Sequence, residues 1–167
     1  MNLCQERIQA DGIDGTGFSD PISVGDLQAS HCRQVPREPG VYLILRLVAT
    51  PPQFPARSGA GRFKDKDPTV SLAVLEENWV PGASIVYIGK AGGQRGLYQR
   101  LKQYMDFGAG ERVGHRGGRY IWQLSDHKEL LVCWRPVLGR PARAVEREFI
   151  ARFTGVHGKR PFANLVQ

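Results

Sequence analysis

The chain has 167 residues, 41% hydrophobic and 23% charged, the proportions of one globular domain with its own core. No run of about 18 apolar residues occurs, which excludes a membrane-spanning helix, and the first residues lack the basic and apolar regions of an export signal, so a cytoplasmic protein is expected. Twenty-three Lys and Arg against 16 Asp and Glu give +7, which favours a polyanionic partner, because cations that neutralise phosphates release condensed counterions.

Residues 1–22 are polar, carry Gly12, Gly15 and Gly17, and read as an extended or mobile arm. Ser23-Val24-Gly25-Asp26 opens a short helix to about Arg33, with Asp26 in the acidic first turn. After Pro36 and Pro39, Gly40 begins an apolar run to Val48, the length of a central strand. Residues 49–83 hold five of the 11 prolines and the alternating Lys64-Asp65-Lys66-Asp67, the character of an insertion, with one ordered piece of open type at 69–79. A β-branched strand follows at 84–89, then a turn at Gly92-Gly93. A helix is predicted over about 96–105 from the spacing of Leu97, Leu101, Tyr104 and Met105. The glycine-dense 107–118 reads as a loop, 120–124 as a short apolar piece of either type, and 130–134 as a third strand. Pro141 starts a last helix to about Phe153, with Gly155 just past its end. The three cysteines, Cys4, Cys32 and Cys133, are odd in number and show no zinc spacing, so reduced thiols are expected.

On the last helix Glu146 shares the stripe of Phe149 and Ile150, at i+3 and i+4, whereas Glu148 points elsewhere and meets Arg152 at i+4. A carboxylate on an apolar stripe loses hydration unless a cation or donors replace it; the alternative is a side chain that reaches out from the stripe's edge. Arg100 neighbours Leu97 and Tyr104 and presents either a fork for a phosphate or a stem over apolar surface. Tyr42 and Tyr87 sit in strands, where either phenol also serves as core filling. The segment 90–119 concentrates Lys90, Arg95, Arg100, Lys102, Arg112, Arg116 and Arg119 against Asp106 and Glu111, a candidate nucleic-acid footprint.

Five segments occur in an order that resembles the GIY-YIG endonuclease family, over about residues 36–167. They are Pro39-Gly40-Val41-Tyr42-Leu43-Ile44-Leu45, with valine for the usual isoleucine, and Val86-Tyr87-Ile88-Gly89-Lys90-Ala91. Arg100-Leu101-Lys102-Gln103-Tyr104 is similar to the arginine helix of the excision-repair branch. Ala144-Val145-Glu146 with Phe149-Ile150 resembles the glutamate helix, and Pro161-Phe162-Ala163-Asn164 the terminal P-x-x-N. The chain departs from the family in the 44 residues between Tyr42 and Tyr87, an insertion that loop-closure entropy tolerates.

The resemblance implies an α+β sandwich, with a small three-stranded, mainly antiparallel sheet flanked by helices. It also implies hydrolysis of phosphodiester bonds, DNA rather than RNA, and one Mg²⁺ or Mn²⁺ ion. On this reading Glu146 holds the metal, Arg100 clamps phosphate, and Tyr42 is the general base or positions the attacking water, with Lys90 or His115 lowering its pKa or relaying the proton. Tyr87 completes the wall, while Gly40, Gly89, Tyr104 and Asn164 orient the site. His115, in its glycine loop, belongs either to the site or to the surface. A binding module on the same fold without catalysis is the alternative, and a small-molecule or protein-interaction domain is a third.

Overall fold

The computed structural model describes residues 2–115 and 117–165. Four antiparallel strands form one sheet in the order β1-β4-β2-β3: β1 is Ile22–Ser23, β2 Gly40–Leu45, β3 Ile85–Ala91 and β4 Leu131–Pro136. Five α-helices are described: α1 Leu3–Ala10, α2 Val24–Ala29, α3 Leu72–Asn78, α4 Gly96–Gly108 and α5 Ala142–His157. The class is α+β, with four strands where three are expected. The fourth, β1, is a two-residue edge that pairs Ile22 with Val132 and Ser23 with Leu131, too short to show a period.

The period-2 alternation of strands builds two cores. Tyr42 and Ile44 of β2, Tyr87 of β3, and Val132 and Trp134 of β4 face Leu97, Leu101 and Tyr104 of α4. Val41 and Leu43 of β2, Ile88 of β3 and Cys133 of β4 face Ile8 of α1 and Val145, Phe149 and Phe153 of α5. Every residue of β2 is buried, as a strand covered on both faces requires.

Several boundaries depart from the sequence pattern for local reasons. Strand β2 stops at Leu45 rather than Val48. A register shift follows Ile44, and the buried Arg46 turns its guanidinium to Asp126 (2.9 Å) and the Thr50 carbonyl (2.7 Å). Helix α2 keeps its Ser23 cap but ends at Ala29, and His31 and Cys32 take positive φ. Helix α5 runs through Gly155 and stops at Gly158, whose left-handed φ of 77° ends it without strain. The segment 120–124 resolves as part of a 3-10 turn over Arg119–Gln123.

Instead of a mobile arm, residues 3–10 form α1, closed by an Asn2–Gln5 capping box, with Cys4 and Ile8 buried. The buried Asp11 then accepts from the Ser84 (3.0 Å) and Ile85 (2.8 Å) amides and meets His157 Nε2 at 2.8 Å. That carboxylate ties α1, the start of β3 and the end of α5 together.

The 49–83 insertion is ordered as well. Its expected structured piece is α3, capped by Ser71. The buried Gln123 amide accepts from Val70 N–H (2.9 Å) and donates to the Val70 (2.8 Å) and Pro55 (3.0 Å) carbonyls. Phe54 and Trp79 pack on Phe162 near the chain's C-terminal end.

Candidate active site

Strand β3 is the free edge of the sheet, and the site is built along it. Asn164 caps part of that edge: its Oδ1 accepts from Ile88 N–H and its Nδ2 donates to Ile88 O, both at 2.9 Å. The side-chain amide thus imitates a strand partner. Ile88 N–H points off the edge toward Asn164, so by two-residue alternation Lys90 N–H points off the same edge, beyond Asn164's reach.

Beside this edge lies a cleft of about 1010 Å³, to which β3 contributes Tyr87 and Lys90, α4 Arg100, and α5 Arg143, Glu146 and Arg147. The Gly117-Gly118 turn, Arg160 and Asn164 close it. Lys90 and Arg100 also line a neighbouring groove of about 350 Å³ with Gly92, Gln99 and Gln103.

The Glu146 side chain is 16% exposed, with Lys90 Nζ at 3.8 Å. Burial pushes its pKa up, while Lys90, Arg143, Arg100 and Arg147 pull it down. Five cations, Lys90, Arg100, Arg143, Arg147 and Arg160, line the cleft with this one carboxylate. The guanidiniums of Arg100, Arg143 and Arg147 make no hydrogen bond or ion pair with another described residue, which leaves their forks open to an anion. Glu148 behaves as its spacing predicts and pairs with Arg152 (3.3 Å), and also with Arg140 (3.2 Å).

The two phenols differ. Tyr87 reaches the cleft wall, its Oη 3.3 Å from where a Gly117 Cβ would stand, with Arg100 Nη2 3.9 Å from the same point. Tyr42 lies beneath it, fully buried, the ring centroids 6.0 Å apart. The Tyr42 hydroxyl closes no hydrogen bond of good geometry, yet the nearby Tyr87 phenol adds to the shift that burial imposes, and the Tyr42 pKa is raised well above 10. Burial raises Tyr87 to about 12, with Arg100 opposing. The pairing of Tyr42 with Gly89 explains the glycine: a Cβ there would run into the Tyr42 ring. Gly40 is likewise pressed on Arg135 O and Leu97, leaving no room for a side chain.

These positions correct the expected base. Lys90 stands opposite Val41 on the α5 side of the sheet, whereas Tyr42 faces α4, so Lys90 is not beside the Tyr42 hydroxyl. His115 is buried too, stacked on Tyr104 at 4.2 Å and 14°, with neither ring nitrogen in a hydrogen bond of good geometry. Burial, aided by Arg100 and opposed by the nearby Gly117 backbone, lowers its pKa from 6.5 to about 3. It is uncharged at neutral pH and supplies no cation to Tyr42. The Tyr104 hydroxyl donates to Gly118 O at 2.6 Å, and Gly118 holds φ 74° where a Cβ would strike that hydroxyl.

The expected basic footprint scatters. Lys102 pairs with Asp106 at 2.5 Å, Arg95 and Arg112 are exposed outside the cleft, and the Arg119 guanidinium lies 5.4 Å over the Tyr120 ring. Arg116 lies outside the described residues. Sequence reasoning missed Arg143, Arg147 and Arg160. Arg143 carried a usable signal, standing three residues before Glu146 on the same helical face.

The donor set accommodates a divalent ion in one way. No cluster of three or more metal-ligating side chains converges among the described residues. Glu146 therefore offers one carboxylate, and water and phosphate would complete the shell, the habit of Mg²⁺. No protein-family model, curated protein or solved structure matches the chain. Among the described residues no helix is long and apolar enough to cross a membrane.

Proposed function

We propose that this chain is a metal-dependent endonuclease that hydrolyses phosphodiester bonds in DNA. The observation that carries the reading is the half-buried Glu146 carboxylate, set among uncommitted arginines in the cleft beside the free edge of the sheet. The choice of DNA over RNA rests on the resemblance to GIY-YIG endonucleases.

Arg143, Arg147 and Arg160 draw in the backbone, and the Arg100 fork holds the phosphoryl oxygens where charge develops. Tyr87, with its pKa near 12, keeps its proton and donates a hydrogen bond to the phosphate or the attacking water. Tyr42 supports Tyr87 from below rather than taking the proton. A divalent ion on Glu146 would supply charge neutralisation at the phosphate and acidify the attacking water.

One observation favours a binding module instead: both phenols are shifted away from proton acceptance. Incubation with supercoiled plasmid, single-stranded DNA and RNA, each with and without Mg²⁺, separates the readings. Magnesium-dependent nicking of plasmid is the expected result. A mobility shift without cleavage would support the binding module, and neither would remove both.

A further inference from the structure

The Lys90–Glu146 pair has a geometry that fits exchange better than structure. At 3.8 Å it is about 1 Å longer than a well-made charge-assisted hydrogen bond, and the Lys90 side chain is 39% exposed on a flexible stem. Lys90 lines the open cleft rather than a closed interior, so its ammonium can leave Glu146 without displacing packed side chains. Its partner is the one acid among the cleft's described lining residues, and Lys90, Arg143, Arg100 and Arg147 all act electrostatically on it. A divalent cation approaching Glu146 in the free protein therefore meets net positive charge and an occupied carboxylate. A phosphate entering the cleft reverses both conditions: it adds negative charge and draws the ammonium toward its own oxygens.

We infer that Lys90 is a displaceable counter-ion of Glu146 that keeps divalent metal off the carboxylate until a phosphodiester occupies the cleft. Metal and nucleic acid then bind interdependently, each strengthening the other by the same factor. The inference rests on the metal-dependent reading of the site. It assigns Lys90 a task distinct from activation of a phenol, and it makes occupancy of Glu146 a property of the complex rather than of the free protein.

The test is Mn²⁺ binding followed by electron paramagnetic resonance, on the wild type and Lys90→Met, with Lys90→Gln as a second variant. Each is titrated alone and with a short phosphorothioate duplex that resists cleavage; Glu146→Gln and Lys90→Met/Glu146→Gln measure Mn²⁺ held elsewhere or by the duplex. The wild type is expected to bind Mn²⁺ at least about tenfold more tightly with the duplex than without it. Lys90→Met alone should gain a comparable factor without any duplex, and lose it in the double variant. Equal Mn²⁺ affinity in wild type and both Lys90 variants, with or without duplex, overturns the inference while leaving a Glu146 metal site intact. Failure of every variant to bind Mn²⁺ at Glu146, even with duplex bound, overturns the metal-dependent reading itself.

Discussion

His115 gives a stability prediction that follows from its burial alone. Its ring stacks on Tyr104, neither nitrogen has a hydrogen bond of good geometry, and its pKa falls from 6.5 to about 3. The folded state therefore holds the neutral form, while the unfolded chain takes up a proton near pH 6.5. Between about pH 6.5 and 3 the unfolded state binds more protons, so stability rises with pH and is lost as pH falls. At pH 5 the loss is about 2 kcal/mol, or ~4–8 °C in melting temperature for a chain of this size. The assay is urea unfolding at pH 7 and pH 5 for wild type and His115→Phe, which keeps the stack and removes the titrating nitrogens. The variant should lose about 2 kcal/mol less than wild type over that interval. It should match or exceed wild type at pH 7, since two unsatisfied buried atoms are gone. A proton NMR titration should place the His115 midpoint far below 6.5. Equal acid losses in the two proteins, or an NMR midpoint near 6.5, would refute the reasoning.

Gly89→Ala should destabilise by about 1–3 kcal/mol in thermal melts, because the added methyl group must displace the buried Tyr42 ring. Asn164→Ala strands the Ile88 amide and carbonyl at the sheet edge and should cost about 1–3 kcal/mol in urea unfolding. Arg100→Ala should abolish turnover with an unchanged melting temperature, whereas Glu148→Gln, on the solvent side of the same helix as Glu146, should leave turnover as it is. An inactive Glu148→Gln would mean that α5 is rotated from the orientation described.

The sequence was most legible where one side-chain period ran long enough to be read. The buried strand β2, the i, i+4 stripe of α4 and the divergent directions of Glu146 and Glu148 all appear as their spacing predicts. Helix α1 did not, because eight residues with two buried positions carry too little pattern, and the Asp11 that ends it is anchored by the Ser84 and Ile85 amides, more than seventy residues away. Depth was equally hidden. Alternation gave the face of Tyr42, but only the packed rings of Tyr87 and Tyr104 show that its hydroxyl is sealed. For His115 the glycine loop pointed to accessibility, and the stack on Tyr104 produced the opposite. Charge density along the chain also misled, since the cleft draws most of its cations from α5 and the tail, not from 90–119.

The central claim is that the Glu146 carboxylate holds the ion on which strand cleavage depends. Nicking of supercoiled plasmid by wild type and Glu146→Gln in Mg²⁺, with DNA binding followed in parallel by mobility shift, tests it most directly. Glu146→Gln should still bind DNA and no longer nick it; nicking by the variant at the wild-type rate would show that cleavage does not depend on an ion at Glu146.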